Sequence, residues 1–212
     1  MQLRLSRTTQ TDAVLLDLTP MRTELPDEEL ISLAAKGDQD AFLALYERYK
    51  TPVWRFATRM LRDPDLAADV VQDTYEYFFR KIGVYKPEVK TLTFLLKVAR
   101  NRSLNIIEKR RRQPLIPEDM PEPAACAQGP EADAQARELA AAAAAAVALL
   151  APRDREAIAL RITEGLSYAE MAKIMGVPEG TAKSRLHYAL EAARNLIAQE
   201  RKAREWKMSG NA

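Results

Sequence analysis

Residues 167–198 read SYAEMAKIMGVPEGTAKSRLHYALEAARNLIA, and this stretch decides the fold. Ser167 and Glu170 have the spacing of a capping box, which predicts a helix starting there. Met171, Ile174 and Met175 recur at helical spacing. Gly176 suits the left-handed position that ends such a helix, and Pro178 stops it from running on. A second helix is predicted to restart near Thr181. Ala182, Leu186, Ala189 and Ala193 form its buried stripe. At about 100° per residue, Ser184, His187, Tyr188 and Glu191 fall on the opposite side, flanked by Lys183 and Arg185. The pattern is that of a helix-turn-helix whose second helix can lie in a DNA major groove. An amphipathic helical hairpin with a solvated charged face is the alternative.

Working outward, the same 3.6-residue logic runs through nearly the whole chain. Helices are predicted from Pro26 to Ala35, from Asp40 to Leu61, from Asp63-Pro64 to about Ile82 and from Thr91 to about Arg111. Phe42, Leu45, Tyr46, Tyr49, Val53, Phe56 and Met60 form the inner side of the second, Trp54 is expected in the core, and Pro52 lies within that helix. Further helices are expected from Arg137 to Leu150 and from Arg153 to Thr163. Between the two groups, residues 113–135 hold Pro114, Pro117, Pro121, Pro123 and Pro130 among Glu118, Asp119, Glu122, Glu131 and Asp133. That composition describes a flexible acidic linker. The expected fold is all-α: a four-helix domain at 26–112 and a helix-turn-helix domain at 136–204. A poorly ordered extension, 1–25, precedes them, and a tail, 205–212, follows. Met21 is a second candidate start.

Composition narrows the function classes. The 212 residues are 47% apolar, enough for real cores, and the net charge is +2. The single Cys126 excludes an intramolecular disulfide, and with one His a Cys/His zinc site is not expected. No cofactor is expected. No run reaches the ~18 apolar residues of a membrane span, which points to a cytoplasmic protein. The chain offers no phosphate loop, metal-ligand cluster or nucleophile–base pair, so an enzyme is not expected.

Charge is segregated instead. Residues 63–76 carry five acids and no base. Asp65, Asp69, Asp73 and Glu76 fall within an arc of about 80°, with Gln72 at its edge. A one-sign stripe suits a basic protein partner. Val70, Val71, Tyr75 and Phe78 face the bundle. Residues 97–112, KVARNRSLNIIEKRRR, hold seven bases and one acid. Lys97, Arg100 and Asn101 share a face, and Lys109 and Arg110 open a terminal basic cluster that would attract phosphates. Tyr85 and Phe94 offer surfaces on which unpaired bases could stack. A solvated helix end, with the aromatics in the core, is the plainer reading.

These motifs in this order resemble a known family. DPDLAADVVQDTYEYFF resembles the polymerase-binding helix of bacterial sigma factors, and FLLKVARNRSLNIIEKRRR resembles their promoter-melting helix. LAPRDREAIALRITEGLSYAEMAKIMGVPEGTAKSRLHYALEAAR resembles their C-terminal helix-turn-helix. Two such domains with only a linker between them are similar to the extracytoplasmic-function (group 4) class. The resemblance implies that Asp65, Asp69, Val70, Gln72, Asp73 and Glu76 dock on the beta-prime clamp helices of core RNA polymerase. It assigns the upstream −10 box to Tyr85, Phe94, Lys97, Arg100, Asn101, Lys109 and Arg110, and the −35 box to Thr181, Lys183, Ser184, Arg185, His187 and Tyr188. It also implies a contact with the polymerase beta flap, promoter DNA as a ligand, and an anti-sigma factor as a regulator. The chain departs from the family pattern at Ala68, usually acidic, at Thr91 and Phe94, usually Phe and Trp, and at Tyr188 and Leu190, often Arg. A stand-alone helix-turn-helix regulator and a sigma-like decoy for an anti-sigma factor are the alternative functions.

Overall fold

The computed structural model describes residues 24–84, 89–112 and 134–209, which form α-helices, one 3-10 turn and one π turn without strands. Tyr85, most of the acidic linker, Cys126 and most of the N-terminal extension, Met21 included, lie outside the described residues.

The first domain comprises α1 (Asp27–Ala35), α2 (Gln39–Leu61), α3 (Pro64–Lys81) and α4 (Thr91–Arg112). Three acids in the first turn of α1 complement the helix dipole. Asp38 caps α2 by accepting from the N–H groups of Asp40 and Ala41, each at 3.1 Å. Arg62 in the left-handed conformation ends that helix and Asp63 caps α3, with Pro64 at the first turn. Leu30, Leu45, Val53, Phe56, Met60, Phe78, Leu95 and Leu96 are fully buried between the four helices. Tyr49 keeps to the expected inner side, half-buried against the core, and its hydroxyl donates to Asp27, tying α2 to α1. Trp54 departs from the expected core, since it remains 39% exposed.

The second domain holds α5 (Ala134–Leu149), α6 (Pro152–Ile158), a π turn at Ala159–Thr163, α7 (Tyr168–Met175) and α8 (Glu179–Ser209). The capping box at Ser167 is complete: the Ser167 hydroxyl accepts from the Glu170 N–H, and the Glu170 carboxylate accepts from the Ser167 N–H at 2.8 Å. Gly176 has φ 67°, the left-handed exit that the sequence required. The recognition helix α8 begins at Glu179, two residues before the expected restart, because the Pro178 carbonyl already accepts from Thr181 and Ala182. Ala182, Leu186, Ala189 and Ala193 form its buried stripe.

The capping carboxylate has a measurable consequence. Hydrogen bonds from the Ser167 N–H, the Lys90 ammonium and the Ser167 hydroxyl hold the Glu170 carboxyl down at about 2. A group depressed in the folded state stabilises fully above its unfolded value, near 4.3, and that contribution disappears as pH falls towards the folded value. The urea midpoint of the second domain is expected to drop between about pH 4.5 and 2, and to drop less in Glu170→Gln. Equal pH dependence in both proteins would remove the assignment.

The two domains are in contact: α4 packs against α7, and α2 packs against α6 and the π turn.

Candidate nucleic-acid and polymerase interfaces

Three surfaces emerge from this packing. On α3, Asp65, Asp69, Gln72, Asp73 and Glu76 are all exposed. Asp73 approaches Arg102 of α4 at 3.9 Å and Glu76 approaches Arg80 at 3.6 Å, so the stripe is one face with its own borders. Val70 does not belong to it: at 1% exposure it packs inside the bundle, and its place in the motif is structural.

Beside the stripe lies a feature that sequence reasoning missed. A groove of about 1040 Å³ runs between α2 and α3, lined by Phe42, Tyr46, Trp54, Val71, Tyr75 and Phe79, with Gln72 and Glu76 at its edge. Phe42 meets Phe79 edge-on at 4.9 Å, Tyr46 meets Tyr75 at 4.7 Å, and Phe79 is 53% exposed. The available signal was the four-residue ridge Phe42, Tyr46, Lys50, Trp54 facing the ridge Val71, Tyr75, Phe79. Apolar groove and acid stripe make one surface complementary to an amphipathic basic helix.

A second groove, of about 1050 Å³, opens along α4. Among the described residues, its polar lining includes Lys81, Lys97, Asn101, Arg102, Asn105 and Lys173 and no carboxylate. Phe94 is half-buried and stacks on Tyr77 at 6.3 Å with ring planes 19° apart. Cations, amides and a part-exposed aromatic pair suit an anionic chain with stackable bases. Lys97 and Asn101 meet in this groove as expected. Arg100 does not: its side chain turns into the domain interface, bonded to Glu156 of α6 and to the Asn101 side chain at 3.3 Å. The terminal cluster is partly neutralised, because Arg110 pairs with Asp63 at 2.9 Å and Arg111 and Arg112 share Glu108, while Lys109 is exposed. Partial burial pushes the Asp63 carboxyl up, but the Leu66 N–H and the Arg110 guanidinium prevail and hold it below its ordinary range.

The third surface is the outer face of α8. Thr181, Lys183, Ser184 and His187 are exposed, and Tyr188 is 65% exposed. The His187 and Tyr188 rings meet at 5.6 Å, and the Ser184 hydroxyl donates back to the Gly180 carbonyl at 2.9 Å. Arg185 is half-buried on the flank.

Comparison with known proteins fits this geometry. The sigma-70 region 2 model matches residues 45–113 and the sigma-70 region 4 model matches residues 140–192. The extracytoplasmic-function (ECF) RNA polymerase sigma-E factor of Haemophilus influenzae is 31% identical over 84% of this chain and 98% of its own. The chain belongs to the ECF sigma factors.

The RNA polymerase sigma-H factor of Pseudomonas aeruginosa is 30% identical, covering 81% of this chain and 94% of the relative. Among solved structures, the sigma factor RpoE of Bartonella quintana, in complex with the anti-sigma factor NepR, aligns with a TM-score of 0.60. It is 26% identical, over 74% of this chain and 96% of that one. CnrH, in complex with the cytosolic domain of CnrY, shares the fold at a TM-score of 0.61 and 22% identity, over 82% of this chain and 97% of that one. As a sigma factor the protein directs RNA polymerase to promoters. Among the described residues no helix is long and apolar enough to cross a membrane.

Proposed function

We propose that the sigma factor divides its work by charge. Asp65, Asp69, Gln72, Asp73 and Glu76, together with the apolar groove beside them, dock on the beta-prime clamp helices of core polymerase. Lys97, Asn101 and the Tyr77–Phe94 pair receive the opened −10 strand, with Tyr85, Lys109, Arg110 and, once released from Glu156, Arg100 at its margins. Thr181, Lys183, Ser184, Arg185, His187 and Tyr188 read the −35 box. The observation that carries this reading is the segregation itself: the described lining of the groove on α4 has no carboxylate, whereas the stripe on α3 is uniformly acidic.

The domain boundaries follow as 26–112 and 136–204, with region 4 also meeting the beta flap. We assign the chain to the group 4 class, working in the cytoplasm beside polymerase, without chemistry of its own; its two linked domains support that reading. An anti-sigma factor is the natural regulator, since the Bartonella relative is held by one.

Footprinting a promoter with and without core polymerase tests the reading. Protection of both boxes only when core is present supports it, and equal protection by the sigma factor alone favours the stand-alone regulator. Within that assay, Lys183→Ala is expected to weaken duplex binding at all sequences and lower the salt slope by about 1, the signature of a phosphate contact. Tyr188→Ala is expected to change sequence preference instead. A Lys183→Ala protein with an unaltered salt slope would remove Lys183 from the phosphate-contacting set.

A further inference from the structure

The chemistry of the outer face of α8 narrows which base it can read. At about 100° per residue, Thr181, Ser184, Tyr188 and Glu191 fall within an arc of about 80°. That arc lies opposite the buried stripe of Ala182, Leu186, Ala189 and Ala193, and all four of its residues are exposed. None of the four is a cation. Lys183 and Arg185 lie on opposite flanks, about 80–120° from the centre of the arc. Arg185 is half-buried and close enough to the fully buried Glu156 of α6 to favour its charged form, although burial, the largest influence, pushes that carboxyl up. The Arg185 charge is therefore engaged on the core side of the helix, and Lys183 is a point charge without a fork. Guanine is read best by a planar guanidinium bidentate to O6 and N7. The centre of this face holds no such group.

It holds a ring instead. Tyr188 is 65% exposed and supplies most of the apolar surface along the arc. The His187 ring meets it at 5.6 Å, edge to face, and His187 Nε2 lies 3.8 Å from the Glu191 carboxylate one turn on. Tyr188 is thus backed by a second ring that has its own anchor. One turn before it, the Ser184 hydroxyl donates its proton to the Gly180 carbonyl at 2.9 Å, which leaves its oxygen as an acceptor. Side chains four residues apart on a helix start about 5–6 Å from each other. Across its major-groove edge an A·T pair presents the adenine N6 donor and the thymine methyl. An acceptor and an apolar ring one turn apart suit that edge and no other base pair as well.

We propose that Tyr188 determines the specificity of the −35 contact by covering the C5-methyl of a thymine with its ring. The inference deepens the −35 role given above to α8 and rests on it. The contact is with a methyl group, so its removal alone is expected to cost about fourfold in affinity.

The test uses the full-length protein bound to core polymerase. A duplex library randomised across the −35 region is selected for binding, and the preferred box is expected to fix at least one thymine. Each thymine of that box is then replaced singly by deoxyuridine, which lacks only the methyl. One replacement is expected to weaken binding about fourfold. That penalty should disappear in Tyr188→Ala and persist in Tyr188→Phe, which keeps the ring and loses the hydroxyl. Circular dichroism checks that both variants keep their helix content, as expected at an exposed position. A preferred box in which no thymine shows a uracil penalty overturns the thymine contact, and so does a penalty that survives Tyr188→Ala. A library that yields no preferred box removes the −35 role of α8 and the thymine contact with it, so the two failures are told apart by the selection step.

Discussion

Replacing Asp69 and Asp73 together with lysine is expected to weaken association with core polymerase by about 100-fold or more. Close charge pairs at protein interfaces couple by about 1.5–7 kcal/mol, and reversal substitutes repulsion for attraction, so two sites reach 2.8 kcal/mol without special geometry. Both residues are exposed on α3 and neither lies in the core, so helix content should survive. Asp73 also faces Arg102 at 3.9 Å, and its reversal alone disturbs that contact. Asp69→Lys alone therefore isolates the partner effect, with an expected loss of about tenfold, or 1.4 kcal/mol. The measurement is competition with a labelled sigma factor for core polymerase, alongside duplex DNA binding by the isolated second domain. Core affinity should fall while DNA binding stays constant. Unchanged core affinity would reduce the stripe to solvated surface.

The second large effect is on stability. Phe56 is fully buried at the centre of the first domain, and Phe56→Ala is expected to cost about 3–5 kcal/mol, from lost transfer energy and the cavity left behind. Domains of this kind have total stabilities of about 5–15 kcal/mol, so a substantial share would be lost. Thermal unfolding followed by circular dichroism should show a lower-melting transition. Because α2 supports the groove, core binding should fall with it. A change under 1 kcal/mol would mean that the bundle closes over the gap, contrary to the close packing of Phe56, Phe78 and Leu95.

What the sequence disclosed follows the range of the forces involved. Ser167, Glu170 and Gly176 act through bonds within a few residues, so the helix-turn-helix was legible almost to the residue. The α3 stripe was legible because a helix fixes angular position from spacing alone. The apolar groove was not, since it exists only where the ridge of α2 meets that of α3, and Trp54 therefore looked like core. Val70 shows the converse: its motif position suggested contact with a partner, while its burial gives it a packing role. Glu156 and Glu164 sit in a segment, REAIALRITE, where acids alternate with bases and read as ordinary surface charge. Their partners Arg100 and Arg55 lie 56 and 109 residues away, and no local pattern links them. Its face on α4 accordingly points Arg100 to DNA, although in the structure Glu156 already holds it.

The most direct measurement is run-off transcription by core polymerase from a promoter library, with and without the full-length protein. Transcripts from defined start points that appear only when the protein is present, and vanish with the Asp69 and Asp73 reversal, are the result expected. A purified, folded protein that neither joins core polymerase nor yields a single specific transcript would contradict the account.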